Sequence, residues 1–121
     1  LGIKRPTWET DPLGNSFGAG GLFLTLSELH KFGLFYLNKG KWNGKQILSE
    51  KWIEESTRAA DTDDYGYLFW RGEQNSYRAD GKYSQITMVL PEKNAVVSLV
   101  AECRRGDELM RALYDLVCAK L

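Results

Sequence analysis

The sequence predicts an α+β fold in which an antiparallel sheet of about three strands packs against a C-terminal helix and follows two earlier helices. Runs rich in β-branched and aromatic residues recur at 65–70, 83–90 and 95–100. Two capped helical segments precede these runs, and one amphipathic helical segment follows them. With 121 residues, 43% of them apolar, the chain has the size of one globular domain. We expect a single domain, 1–121, with loops and helices in 1–64 and the sheet and final helix in 65–121.

The first 21 residues predict a loop, because proline and glycine interrupt them repeatedly. Gly18-Ala19-Gly20-Gly21 lacks the Lys and Ser/Thr of a phosphate-binding loop, so close backbone packing or positive φ angles explain these glycines better.

The first helix is predicted from Thr25, which begins a capping box with Glu28, to about Leu37. Its residues are apolar around most of the circumference, so it should be largely buried. Gly40 suits the left-handed conformation that ends a helix. Asn43-Gly44 then predicts a tight hairpin.

The second helix is predicted from Ser49 to about Thr57, with Trp52 and Ile53 on its core side. Pro91–Asn94 predicts a turn that joins the second and third strands as a hairpin. Asp80-Gly81 predicts a turn just ahead of the second strand, or a bend within a longer one. The last helix should begin at Asp107. Its apolar stripe, which should face the sheet, contains Leu109, Leu113, Leu116 and Val117.

Composition excludes several functional classes. Lys plus Arg and Asp plus Glu each total 16, so no basic surface for nucleic acid or an anionic membrane is expected. No apolar run is long enough to span a bilayer. The chain begins at Leu1 without a methionine, so we expect it to be processed or cut from a longer protein, and the compartment stays open.

No cofactor or metal is expected. Cys103 and Cys118 are the only cysteines and predict two free, mostly buried thiols. His30, the single histidine, lies near Glu28 and Lys31 on the first predicted helix and is expected to be solvated. The acidic stretch with Asp61, Asp63 and Asp64 predicts a solvated loop, with a metal site as the weaker alternative.

Several short motifs occur in a fixed order along the chain. They are Trp8-x-x-x-Pro12-x-Gly14, Gly18-Ala19-Gly20-Gly21-Leu22-x-x-Thr25-x-x-Glu28-Leu29-x-x-Phe32, Lys39-Gly40-x-Trp42-x-Gly44-x-x-Ile47-Leu48-Ser49, Tyr65-Gly66-Tyr67-x-x-Trp70, Asp80-Gly81-Lys82-Tyr83-Ser84-Gln85 and Pro91-Glu92-Lys93-x-Ala95-Val96-Val97. None is specific alone, but the ordered series resembles the C-terminal half of the class C β-lactamase-related serine hydrolases. That family includes penicillin-binding proteins, D-aminopeptidases, family VIII esterases and 6-aminohexanoate-oligomer hydrolases. The resemblance covers about Leu1 to Leu121 and implies a partial β-lactamase/transpeptidase-like fold.

The resemblance also implies three catalytic motifs, of which the chain carries only the third. Ser-x-x-Lys, the nucleophile and base, is absent from the sequence. Tyr36-Leu37-Asn38 matches the Tyr-x-Asn pattern but lies at the wrong place in the family order. The third motif corresponds to Ala79-Asp80-Gly81, where Ala79 and Asp80 replace the usual cationic and hydroxyl residues.

By this resemblance, the backbone N–H of Lys82 donates to the oxyanion, and Gly81 lets the substrate lie close to the strand. Ala79, Asp80, Tyr83 and Gln85 are the candidate substrate-binding residues. Ala79 cannot bind a carboxylate, which argues against a penicillinase and favours an esterase, amidase or peptidase. Ser84 stands where relatives usually carry glycine.

Each of these positions also has a purely structural interpretation. Gly81 and Lys82 could form a plain hairpin turn with a solvated lysine side chain. Tyr83 and Gln85 could be strand-packing and surface residues. Tyr65, Tyr67 and Trp70 could belong to the core and its cross-strand pairs, or could line the cleft.

Two functions are therefore compatible with the sequence. The chain could be the C-terminal portion of a serine hydrolase acting on a small ester, amide or peptide, inactive alone because it lacks the nucleophile. It could instead be a non-catalytic interaction or oligomerisation module derived from that family. Whether the chain itself is an enzyme stays open. A sheet of three strands leaves its edges open, so we expect a homodimer through these edges.

Overall fold

The computed structural model of the protein describes residues 1–18, 20–60 and 64–121. Within these ranges it contains the helices α1 (Leu26–Leu37), α2 (Glu50–Thr57) and α3 (Gly106–Leu116). Two short ladders pair β1 (Thr7–Trp8) with β2 (Leu22–Phe23) and β3 (Lys41–Trp42) with β4 (Lys45–Gln46). The main sheet contains β5 (Trp70–Arg71), β6 (Tyr77–Gly81), β7 (Gln85–Leu90) and β8 (Ala95–Val100). The expected α+β class is confirmed. Ala19, Asp61 and Asp63, which the sequence assigned to loops, lie outside the described residues.

The main sheet is antiparallel, with the strand order β5-β6-β7-β8. The prediction of its strands was partly wrong. The run at 65–70 contributes only Trp70 to a strand, and Tyr65 forms a single bridge with it. Asp80-Gly81 ends β6 instead of forming a turn, and the turn lies at 82–84. β6 was not predicted, because Arg78, Asp80 and Gly81 have little intrinsic preference for a strand.

Strand β7 lies at the centre of the fold and is buried on both faces. Ile86, Met88 and Leu90 belong to one cluster, which also contains Leu113 of α3 and Cys118. Val89 belongs to a second cluster, together with residues of α1 and α2. Because neighbouring residues of a strand point to opposite faces, α1 and α3 cover opposite faces of the sheet.

The α1 side of the core is aromatic. Its buried members are Phe35, Tyr36, Phe69 and Tyr77, packed around Ile53 and Val89. The ring centroids of Tyr36 and Phe69 are 4.7 Å apart, and those of Phe69 and Tyr77 are 5.8 Å apart. Burial raises the pKa of Tyr77 to about 12, because the phenolate would lose its hydration there.

The predicted capping box of α1 and the two turns that follow this helix are confirmed. The Glu28 N–H donates to Thr25 Oγ1, and Glu28 Oε2 accepts the Thr25 N–H at 2.9 Å. The Thr25 N–H and the Thr25 hydroxyl both donate to Glu28 Oε2, and these two bonds lower the pKa of the Glu28 carboxyl. Gly40 has the expected positive φ of 78°. Asn43 and Gly44 also have positive φ and form the turn between β3 and β4.

Two predictions about helix faces and one about the start of a helix were wrong. Trp52 is 43% exposed, whereas Ile53 is buried as expected. Helix α3 begins at Gly106 and has no side-chain cap, so Asp107 lies in its first turn. Leu116 is 62% exposed, because α3 meets the sheet through a face formed by Met110, Leu113 and Tyr114. Apolar spacing predicted this amphipathic helix correctly but misplaced the centre of its buried face.

Cys103 and Cys118 are free thiols, and Cys118 is the fully buried one. Burial raises the pKa of the Cys118 thiol. In the described part of the chain, no helix is long and apolar enough to cross a membrane.

Helix α1 approaches the sheet closely at Gly33. A Cβ at this position would lie 2.6 Å from Thr87 Oγ1 and 2.6 Å from Val96 Cγ1, two atoms on neighbouring strands. Such a separation is shorter than atoms in a packed core tolerate, so glycine is required for this contact.

We expect Gly33→Ala to lower the free energy of unfolding by about 1–3 kcal/mol, because the added methyl pushes α1 away from β7 and β8. This loss would occur although alanine favours a helix over glycine by about 1 kcal/mol. Urea unfolding of the purified chain would measure it. Gly18→Ala is the control, since a Cβ there meets nothing within 4 Å. A Gly33→Ala variant as stable as the original chain would contradict the close approach.

Candidate functional site

The outer edge of β6 is covered over only part of its length. β5 pairs with β6 at Tyr77 and Arg78, whereas β7 pairs with β6 from Tyr77 through to Gly81. Among the described residues, no strand pairs with the outer edge from Ala79 to Gly81. Asp80, Gly81 and Lys82 are exposed. The third-motif residues therefore lie on an open strand edge.

The peptide between Gly81 and Lys82 directs its N–H away from the hairpin. Gly81 C=O accepts the Ser84 N–H at 3.1 Å, inside the turn. The chain contains no cis peptide bond, so the N–H and C=O of one peptide unit point in opposite directions. The Lys82 N–H therefore points outward, and it has no acceptor among the described residues. An exposed, unpaired N–H of this kind can donate to a ligand.

The turn that follows is strained. Tyr83 has a φ of 63° and Ser84 a φ of 70°, and neither residue is glycine. For a residue with a Cβ, this conformation costs about 1–2 kcal/mol. Surrounding structure has to maintain such a conformation.

The segment 101–105, which follows β8, provides that support. The Cys103 N–H donates to Tyr83 C=O at 3.1 Å, and Ser84 Oγ donates to Cys103 C=O at 3.4 Å. The side-chain amide of Gln85 donates to Ala101 C=O. These three hydrogen bonds attach the turn to a second segment of the chain.

The six predicted site residues have different surroundings. Ala79 packs against the aromatic core cluster, so it lies on the α1 face of the sheet. The Asp80 carboxylate lies 3.0 Å from Arg78 Nε, in an ion pair on the opposite face. Gln85 is half-buried and bonded to Ala101. Gly81, Lys82 and Tyr83 are exposed together at the tip of the hairpin, and these three form the candidate site.

Arg104 lies next to the candidate site but was not predicted from the sequence. Its guanidinium carbon lies 5.7 Å from the centroid of the Tyr83 ring, and Lys82 Nζ lies 4.9 Å from the same centroid. No local motif signals this contact, because it depends on the return of the chain through β8.

His30 was expected to be solvated, and this was wrong. His30 Nδ1 lies 3.1 Å from Ser98 Oγ, which lies 2.8 Å from Thr87 Oγ1. His30 and Ser98 also line an apolar groove of about 830 Å³ beside β8, together with Leu26, Val117 and Leu121. Within the described residues, Ser98 is the only group that hydrogen-bonds the His30 ring. The Ser98–His30 pair therefore lacks the third residue that orients the histidine in a catalytic triad.

A metal centre has no support in the described ranges, where no three His, Cys, Asp or Glu side chains group closely enough to hold an ion. Asp64 is exposed, and its backbone carbonyl accepts the Arg71 N–H.

Comparisons with known proteins bear on the fold. No family model and no curated protein matches the chain. Among solved structures, it is similar to a protein from Bacillus anthracis that is provisionally named a 6-aminohexanoate-dimer hydrolase. The TM-score is 0.74 and the identity 22%, over 88% of this chain. The match covers 31% of the hydrolase, so the chain spans about a third of its length. This portion of the hydrolase shares the fold of our chain, which agrees with the partial β-lactamase/transpeptidase-like fold expected above.

The strain at Ser84 is testable with two variants that both delete its hydroxyl. Ser84→Ala keeps the left-handed strain of about 1–2 kcal/mol, whereas Ser84→Gly removes it. The larger entropy of glycine in the unfolded chain offsets about 0.4–1 kcal/mol of that gain. We therefore expect Ser84→Gly to be more stable than Ser84→Ala by about 0.5–1 kcal/mol in urea unfolding. If Ser84→Ala proves equally stable or more so, Ser84 does not hold a positive φ in solution.

Proposed function

We propose that this chain forms the oxyanion-side wall of the cleft of a serine hydrolase that acts through a covalent acyl-enzyme. The observation that carries the proposal is the outward-pointing Lys82 N–H on the uncovered edge of β6. Acyl transfer requires backbone N–H groups aimed at the position where the carbonyl oxygen becomes negative. Gly81, which has no side chain, would leave room for the acyl group beside this N–H.

The proposed substrate is a small ester, amide or peptide. Ala79 offers no charge to a ligand, and its half-buried methyl packs against the core, so strand β6 has no cation at the third-motif position. The name of the similar solved protein describes a hydrolase, which supports the class of reaction.

The nucleophile would come from a part of the protein outside these 121 residues. Ser-x-x-Lys does not occur in them. In this proposal the chain alone therefore does not turn over substrate, whereas a protein that combines it with Ser-x-x-Lys does. Serine-dependent hydrolysis of p-nitrophenyl acetate by the isolated chain would contradict this part of the proposal.

The oxyanion role of Lys82 can be separated from its side chain. Position 82 is the second residue of the turn 81–84, where proline is favoured. Lys82→Pro removes the N–H, and Lys82→Ala keeps it, while both remove the ammonium. In a protein that joins this chain to its Ser-x-x-Lys, we expect kcat of the Pro variant to be about 10²–10³ times lower than that of the Ala variant. Ester hydrolysis would be measured by stopped-flow absorbance.

Matching melting temperatures of the two variants would show that the turn is intact. Equal kcat values for two folded variants would contradict an oxyanion role for this N–H.

A non-catalytic interaction module is the second candidate, and it has its own support. β8 is the last strand of the main sheet in the described residues, so one of its edges is free to pair. The groove beside β8 is apolar, and Leu26 and Leu121 are exposed there. Ala79, Asp80 and Ser84 also depart from the family pattern. In this proposal two copies associate through their open sheet edges.

Light scattering would test the dimer. We expect a mass of about twice the 13.8 kDa of one chain. Leu121→Lys should shift the mass to that of the monomer, because a charge would enter the apolar groove. Leu13→Lys is the matched control, since Leu13 is exposed but does not line the groove. A monomer for the unsubstituted chain would contradict dimer formation.

A further inference from the structure

A cavity of about 490 Å³ lies at the beginning of β6, between the end of α2 and the turn that joins β5 to β6. The residues that line it include Thr57, Arg71, Asn75, Tyr77 and Pro91. Tyr77 and Gly81 are the first and last residues of β6, so about 13 Å of strand separates the cavity from the tip of the β6–β7 hairpin.

The hydroxyl of Tyr77 opens into this cavity without a hydrogen-bond partner among the described residues. Tyr77 is only 6% exposed. No side-chain polar atom of the described residues is both fully shielded from solvent and unpaired, so the Tyr77 oxygen keeps contact with the cavity. A buried hydroxyl without a partner costs free energy, and phenylalanine would pack in the same space without that cost. The hydroxyl at position 77 therefore indicates a ligand.

Arg71 places a cation beside the ring of Tyr77. Its guanidinium carbon lies 5.8 Å from the centroid of that ring. Arg71 Nη1 donates to Thr57 C=O at 3.3 Å, and Nη2 donates to the backbone C=O of Asn75 at 3.3 Å and to its side-chain oxygen. Because a guanidinium carries five N–H groups, two of them have no acceptor among the described residues. Arg71 is thus held in place and can still donate to a ligand.

The Tyr77 hydroxyl is a donor at neutral pH. Burial raises the pKa of Tyr77 to about 12, although the charge of Arg71 opposes this shift. The hydroxyl therefore keeps its proton and offers it to an acceptor, next to a guanidinium that also offers only donors. A ligand that fits both groups has to accept hydrogen bonds and gains from negative charge.

Charge and wall composition narrow the ligand further. Arg58 and Arg71 contribute two positive charges to the lining, and Glu54 contributes one negative charge. The apolar part of the lining comes from Ala59, Pro91 and the ring of Tyr77. The volume of about 490 Å³ is larger than a bare inorganic ion needs and lies within the range of small-molecule sites. An anion with a carbon body fits these walls.

We propose that this cavity is a binding site for a small organic carboxylate. The Tyr77 hydroxyl and the two remaining N–H groups of Arg71 donate to the carboxylate, whose planar shape matches that of a guanidinium. The carbon body of the ligand packs against Pro91 and Ala59. Because Thr57 and Asn75 already hold Arg71, little side-chain entropy is lost on binding. The inference does not depend on an oxyanion role of the Lys82 N–H.

Benzoate and benzamide are matched probes of the cavity, since they share a ring and only benzoate is charged. NMR titration of the purified chain would follow the Arg71 Nε–H and the backbone N–H of Asn75. We expect benzoate to shift both signals with a Kd of about 1–10 mM, as suits a ligand of so few atoms. Benzamide should bind at least about fivefold more weakly, because hydrogen bonds to a charged acceptor are stronger. Inorganic phosphate, which has no carbon body, should also bind more weakly than benzoate.

Two variants that make the same chemical change isolate the hydroxyl of Tyr77. Tyr77→Phe should weaken benzoate binding about tenfold, because it removes one donor to the carboxylate and keeps the ring. Tyr36→Phe is the matched control: Tyr36 belongs to the same core cluster, but its hydroxyl bonds to Ser56 and it does not line the cavity. This variant should leave the affinity for benzoate unchanged.

Thermal unfolding of the same two variants gives a measurement that needs no ligand. Tyr77→Phe should keep or raise the melting temperature, since the deleted hydroxyl has no partner in the described residues. Tyr36→Phe should lower it, because a hydrogen bond to Ser56 is lost.

Four results would overturn the inference. Benzoate could leave the Arg71 and Asn75 signals unshifted, or could bind Tyr77→Phe as tightly as the original chain. Phosphate could match benzoate in affinity, which would make the cavity a general anion site and not one for an organic acid. A clear fall in the melting temperature of Tyr77→Phe would show that the hydroxyl has a partner within the protein. None of these results would affect the oxyanion role proposed for Lys82.

Discussion

The burial of strand β7 between two helices is the constraint on which the rest of the structure depends. Its apolar residues Ile86, Met88, Val89 and Leu90 are almost completely shielded from water. Each contributes about 1.5–3 kcal/mol by burial. Because side chains alternate between the two faces of a strand, α1 has to cover one face and α3 the other. β6 and β8 then satisfy the backbone groups of β7 on its two sides.

The packing of β7 also determines the geometry of the candidate site. A register shift of one residue would turn every side chain of β7 to the opposite face, so its two-sided burial fixes the pairing of Gly81 with Gln85. That pairing limits the connection to three residues, 82–84, and directs the Lys82 N–H outward. β8 returns the chain along β7 and brings the segment 101–105 against the same turn. The open edge and the turn thus follow from core packing.

The sequence predicted features with local causes and missed those imposed by distant contacts. Thr25, Gly40 and Asn43-Gly44 act within a few residues, so α1 and the β3–β4 hairpin were predicted correctly. β6 could not be predicted, since Arg78 and Asp80 adopt a strand only because β7 pairs with them. The association of Lys82 with Arg104 depends on the path of β8, which no local pattern encodes. Gly81 and Lys82 became site candidates through the ordered motifs and not through periodicity.

The turn 82–84 combines backbone strain with positive charge. The segment 101–105 hydrogen-bonds to this turn and maintains its conformation. Two left-handed residues with side chains cost together about 2–4 kcal/mol, which is comparable to the burial of one or two side chains of β7. The hydrogen bonds from Cys103 and Ser84 that maintain this conformation also keep Arg104 beside the Tyr83 ring. A relaxed turn built on glycine would not need this support, and position 83 would then present no ring to the two cations. Tyr83 and Ser84 therefore connect the turn that carries the Lys82 N–H to the segment that carries Arg104.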